Sequence, residues 1–147
     1  MTSVKDIMIK DVVTITVDKT VFEAAELMDS KGIGCLIIVQ GETPVGIVTE
    51  RDFVRRIIAK KLPYDIKVSE IMTKRLVAVD PDVSLKDAAR LMSSNKIRRL
   101  PVVKQKKLVG IVVASDFIRN LGKKTVTEEI FDAMGRYPPG TMHYGLK

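Results

Sequence analysis

Two heptapeptides carry the residue types best suited to chemistry: Gly46-Ile-Val-Thr-Glu-Arg-Asp52 and, sixty-four positions later, Gly110-Ile-Val-Val-Ala-Ser-Asp116. Each joins an apolar run, which reads as a strand, to a polar run, which reads as the first turn of a helix. A carboxylate there is favoured by the helix dipole and by the free N–H groups of that turn. It can also accept from two vicinal hydroxyls at once. Thr49 is a good N-cap, and the free N–H groups beside it suit a phosphate. Val113 takes its place in the second copy and is among the poorest N-caps, yet Asp116 is retained. A carboxylate kept where its capping partner has gone suggests a role of its own, so Asp52 and Asp116 are read as ligand-binding candidates.

Arg98 and Arg99 follow Lys96 just before another apolar run, with Gly34 and Cys35 at the matching places in the first half. Planar guanidinium groups at that point meet a phosphate through several donors. The plainer reading is a solvated charge cluster, and Lys104, Lys106 and Lys107, in a turn, are read that way. The rest of the chemical inventory is thin. Cys35 and His143 are single residues of their kind, which excludes an internal disulfide, a cysteine metal cluster and a Ser/His/Asp set. No phosphate-binding Walker loop or G-x-G-x-x-G fingerprint occurs. The expectation is a protein that is not an enzyme and requires no cofactor. Cys35 reads as a small buried hydrophobe, His143 as uninvolved, and Met8, Met28, Met72 and Met92 as core filler.

With 147 residues and 46% apolar side chains, the chain suits a soluble globular protein. No apolar run approaches the roughly 20 residues of a membrane span, and Met1–Asp11 lacks the character of a secretory signal. A cytoplasmic location is the default expectation. The net charge of +7 is unevenly placed: residues 1–64 sum to zero, 65–121 to +6 and 122–147 to +1. The middle segment is therefore where an anionic partner would be drawn.

Shifted by 64 positions, residues 4–57 align with 68–121 without a gap, and 21 of the 54 pairs are identical. Chance would give about 5–6% at ordinary residue usage, so the chain is an internal duplication. Each copy predicts β-α-β-β-α. Val4–Met8 and Val68–Met72 read as short helical lead-ins, and 12–17 and 76–79 as first strands. A helix opens on Thr20 with Glu23 as a capping box, or on Ser84 with Asp87. Strands 35–39 and 45–49 follow, with 100–104 and 108–113 as partners, and helices 51–60 and 115–121 close the copies. Residues 61–67 link them. Neither copy buries much core alone, so the two are expected to pack together. In the tail, Thr125 and Glu128 predict a further helix to Met134, with Val126, Ile130 and Met134 as its apolar stripe. The organisation is thus 1–64, first repeat and linker; 65–121, second repeat; and 122–147, tail.

A tandem β-α-β-β-α unit closing on G-h-h-T-x-x-D (h, apolar), with Asp6–Thr14 in the lead-in and Leu100–Val103 as LPVV, resembles the cystathionine β-synthase (CBS) domain pair, or Bateman module. The resemblance covers residues 4–121. It implies an α/β (α+β) fold of two repeats about a pseudo-twofold axis, with two clefts for AMP, ADP, ATP or S-adenosylmethionine. It places Thr49, Asp52, Val77, Ala78, Ile97, Arg98, Arg99 and Pro101 in the first cleft. The second would use Val13, Thr14, Ile33, Gly34, Cys35, Ile37, Ser115 and Asp116. Val113, where the family has Thr, departs from the pattern and weakens phosphate binding in the second cleft. The implied role is a regulatory sensor that reports a nucleotide to another protein, paired as a homodimer through helices 51–60 and 115–121. Phe53, Ile57 and Ile58 are the apolar residues offered to that contact. Two alternatives stand beside it: a nucleic-acid binder using the basic second repeat, and a ligand-free assembly module. Few aromatics, with no Trp, argue against the first.

Overall fold

The computed structural model describes residues 2–119, so the predicted tail helix and His143 lie outside it. The element order is a 3-10 turn (Val4–Asp6), β1 (Thr14–Thr16), α1 (Val21–Lys31), β2 (Cys35–Gln40), β3 (Thr43–Thr49) and α2 (Glu50–Asp52). A π-helical segment (Phe53–Ile58) continues α2. A second 3-10 turn (Val68–Glu70), α3 (Leu85–Asn95), β4 (Arg99–Lys104), β5 (Lys107–Val113) and α4 (Ala114–Arg119) complete it. No helix among the described residues is long and apolar enough to cross a membrane.

The capping residues do what their types demand. Thr20 and Ser84 accept from the Glu23 and Asp87 amides at 3.1 Å each. Glu23 reaches back to the Thr20 hydroxyl rather than to its N–H. The helices stop at Gly32 and Lys96, both left-handed, with φ of 64° and 55°. Glycine adopts that conformation freely; lysine does so under strain.

β2 and β3 pair antiparallel, as do β4 and β5, and β1 adds to β2 in parallel. The predicted strand at 76–79 does not form. Val79 alone bridges Val102, its N–H donating to the Pro101 carbonyl at 3.0 Å. The cause lies in two prolines. Val17 donates to Val39 in the first copy, but its counterpart Pro81 has no N–H. Ile37 sits in the β1–β2 ladder, but its counterpart Pro101 has none either.

The copies pack by exchanging their lead-ins. Val4 is fully buried in a core otherwise made by the second copy, with Leu85, Met92, Leu100 and Phe117. Val68 and Ile71 complete the core of the first, with Val21, Met28, Leu36 and Val48. The ends of the lead-ins then join the opposite sheet, Ile9 bridging Ile111 and Thr73 bridging Ile47. The Met8 sulfur lies over Gly110 and the Met72 sulfur over Gly46, where a Cβ would sit 2.5 and 2.4 Å away. A third cluster of Ile37, Val39 and Ile111 seals the sheets together.

Ile57, expected as a residue for a partner, is 5% exposed and belongs to the first core, with Phe53 partly buried against it. Ile58 is open to solvent, together with Val54 and Leu62.

Candidate functional site

Where β3 runs into α2, Thr49 has extended backbone and its hydroxyl accepts from the Asp52 amide at 3.4 Å. Asp52 answers: its Oδ2 accepts from the Thr49 N–H at 2.8 Å and from the Thr49 hydroxyl at 3.2 Å. Its Oδ1 lies 3.5 Å from Arg56 Nε. The capping box is therefore closed on both sides. In the second copy, Asp116 is 4% exposed, and its Oδ2 still accepts from the Val113 N–H at 3.3 Å. Half of the box survives the loss of the threonine hydroxyl, so retention of Asp116 has a structural reason that sequence reasoning missed. The backbone N–H at position 113 is available whatever the side chain.

Between the copies lies a cavity of ≈ 730 Å³. Of the first predicted set, Thr49, Val77, Ile97, Arg98, Arg99 and Pro101 line it. Asp52 and Ala78 do not, the former because its carboxylate is folded back onto Thr49. Of the second set, only Gly34 and Ser115 line it. The remaining residues of that set lie elsewhere. Val13 packs against the first core, Ile37 is 1% exposed between the sheets, and Asp116 is buried in its cap. Thr14 pairs with Ile37 in the β1–β2 ladder. Ile33 faces a separate cavity of ≈ 420 Å³ with Met28, Asp29 and Phe53. Cys35 is half-buried; burial pushes its thiol pKa up, and the nearby Arg99 charge opposes that shift.

Several lining residues escaped sequence reasoning: Glu50, Arg51, Thr73, Arg75, Leu76 and Lys96. Thr73 arrives through the exchanged lead-in, a long-range contact with no local signal. Lys96 did carry one, since it stands at a left-handed helix stop where the first copy has Gly32. The cavity thus collects five cations, Arg51, Arg75, Lys96, Arg98 and Arg99, with one carboxylate, Glu50. Hydroxyls come from Thr49, Thr73 and Ser115, and apolar walls from Ile47, Leu76, Val77, Ile97 and Val113. Such a lining can hold a flat apolar group beside a multiply charged anion.

Known proteins can be set beside this geometry. The family model for the CBS domain matches residues 4–59 and again 68–123. The uncharacterized protein YlbB of Bacillus subtilis is 45% identical over 118 residues, spanning 79% of this chain and 80% of its own. The CBS domain pair of protein MJ0100, solved in complex with 5′-methylthioadenosine and S-adenosyl-L-methionine, superposes with a TM-score of 0.74 at 31% identity. That match covers 83% of this chain and 97% of the other. A hexameric CBS-CP12 protein from bloom-forming cyanobacteria superposes with a TM-score of 0.72 at 34% identity, over 90% of this chain and 82% of that one. Matched twice in tandem, in the register of its own duplication, this chain belongs to the CBS-domain family.

Proposed function

We propose that the chain is a regulatory module that binds an adenine nucleotide (AMP, ADP or ATP) in the cavity between its repeats and reports it to a partner protein. One observation carries the reading: five cations and three hydroxyls line a cavity that also has apolar walls, and both repeats contribute to it. The adenosyl ligands bound by the MJ0100 domain pair support the adenine part. The cationic lining favours a phosphorylated ligand over S-adenosylmethionine, whose sulfonium is positive. Thr49, which lines the cavity, donates to a phosphate once its hydroxyl turns from Asp52 Oδ2; Asp52 itself does not line the cavity, and its carboxylate meets a ribose once it swings out of that cap. Val54 and Ile58, one helical turn apart, and Leu62 just past the end of that segment are the exposed apolar residues through which copies associate into a homodimer.

The test is a thermal-shift series with AMP, ADP, ATP, S-adenosylmethionine and NAD on the full chain. A ligand at about 100 times its Kd adds roughly 2.7 kcal/mol. A melting temperature unmoved by all three adenine nucleotides refutes the reading. Asp52→Asn keeps the side-chain shape and should weaken the nucleotide about tenfold through the lost charge.

A further inference from the structure

The proposed cavity is cationic, yet one carboxylate has been built into its wall. Glu50 sits beside Gly34: a Cβ at that glycine would lie 3.3 Å from Glu50 Oε1 and 3.9 Å from an Arg99 terminal nitrogen. The carboxylate and the guanidinium therefore flank the same point. They form no ion pair within 4.0 Å, and neither does Glu50 with any other described cation. The Glu50 backbone is fixed by its N–H donating to the Gly34 carbonyl at 3.0 Å. In the second copy the same bond runs from the Ala114 N–H to the Arg98 carbonyl at 2.9 Å. Ala114 lines the cavity too, but brings no charge. The duplication therefore differs here only in what the side chain carries.

We propose that Glu50 is a specificity-determining residue that opposes each added phosphate on the ligand and so limits the preference of the cavity for ATP over AMP. This rests on the nucleotide reading above. Five cations alone would attract a ligand more strongly with every phosphate it carries. A carboxylate carried on that anchored backbone, in no ion pair with a described cation, at the edge of the same space repels those phosphates in proportion to their charge. Glu50 is exposed, so the repulsion is moderated by water and salt without being abolished. Gly34 belongs to the same device, because the absence of a side chain there leaves room for the carboxylate beside Arg99.

The experiment titrates adenosine, AMP, ADP and ATP into the full chain by calorimetry, without divalent cations, for the wild type and Glu50→Gln. The uncharged adenosine is the reference. The expected result is a gain in affinity that rises with ligand charge, about two- to fourfold for AMP and roughly fivefold or more for ATP, at effective dielectric values typical of a protein surface. The gain should shrink as salt is raised. Gly34→Ala is the control: its methyl group would stand 3.3 Å from Glu50 Oε1, so the exposed side chain yields slightly, keeps its charge, and the ATP-to-AMP ratio should change far less than in Glu50→Gln. A Glu50→Gln gain equal for all four ligands, no change, or a loss for ATP overturns the proposal while leaving the nucleotide reading intact. A wild-type chain that takes none of the four overturns both.

Discussion

At Met8 and Met72 the two halves do the same thing: each sulfur lies over a glycine of the opposite half, Gly110 or Gly46. At the cavity they diverge, with Thr49 against Val113, Glu50 against Ala114, and Gly34 and Cys35 against Arg98 and Arg99. The methionine–glycine contacts have kept their identity because each is constrained by a neighbour that has its own symmetric twin. Positions facing open space have no such neighbour and are free to specialise. The duplication is thus a symmetric frame around an asymmetric site, and that asymmetry can be broken at several points.

The largest effect is expected where charge is most unequal. Replacing Arg98 and Arg99 together by Ala should cut ATP affinity by about a hundredfold or more, since each charged hydrogen bond contributes roughly 1.5–3 kcal/mol. Adenosine should lose little. Calorimetry checks this, and an equal loss for adenosine would show that the arginines hold the cavity open rather than bind phosphate.

The frame predicts equality instead. Gly46→Ala and Gly110→Ala each drive a methyl group to within 2.4 or 2.5 Å of a methionine sulfur, and 3.1 Å from a backbone carbonyl. Met can yield and the backbone cannot, so each change should cost about 1–3 kcal/mol of stability. Urea unfolding measures both; a difference well outside that range would mean that one exchanged lead-in is held more loosely than the other.

Most elements of this frame were legible in the sequence because their signals are local. Thr20, Ser84 and Thr49 each mark a helix start, and the apolar runs of β2 to β5 sit within a residue or two of where they were expected. The exchange of lead-ins was not legible, because Val4 and Val68 look alike and nothing local says which core each enters. The missing strand at 76–79 was readable in principle, as Pro81 and Pro101 both remove donors, but only once the pairing partner is known. For the site, Arg98, Arg99 and Thr49 could be picked out by residue type. Arg75 and Thr73 could not, since only the exchanged backbone brings them in.

Lys96 sharpens the comparison at a smaller scale. Its counterpart Gly32 stops α1 without strain, whereas Lys96 holds φ at 55° and points charge into the cavity lining. Lys96→Gly should therefore raise stability by up to about 1 kcal/mol while weakening ATP by several-fold through the lost cation. Opposite signs in the two measurements, melting and titration, are the expected signature. If both fall together, the lysine serves the fold and not the ligand.

The smallest effect compares Asp82 with its counterpart Asp18. Asp82 accepts from Lys5 Nζ at 2.8 Å, joining the first lead-in to the second copy. Position 69, the counterpart of Lys5, is Ser, and Asp18 instead accepts from the Thr16 hydroxyl at 2.6 Å. Both carboxyls are held below the usual 3.8, Asp82 first by its hydrogen bond from Lys5 and Asp18 first by that from Thr16. A depressed carboxyl contributes stability above its unfolded value and loses it as pH falls through the folded one. Lys5 is raised above 10.5 by the hydrogen bond to Asp82, so its contribution is full below that value and is lost as pH rises through the folded one. The Lys5–Asp82 link therefore works from about pH 4 to about pH 10, and the Asp18 link has only the acid limit. All three groups are exposed, so the effects are small, but their salt dependence differs in kind. Asp82→Asn should lower the melting temperature slightly in dilute buffer, and the difference should vanish near about 1 M salt, where the screening length is roughly 3 Å. Asp18→Asn alters a bond to a neutral hydroxyl and should respond far less to salt. Melting curves of both variants at two salt concentrations decide it: if Asp82→Asn is unaffected by salt, the link is a packing contact and charge does not join the halves there.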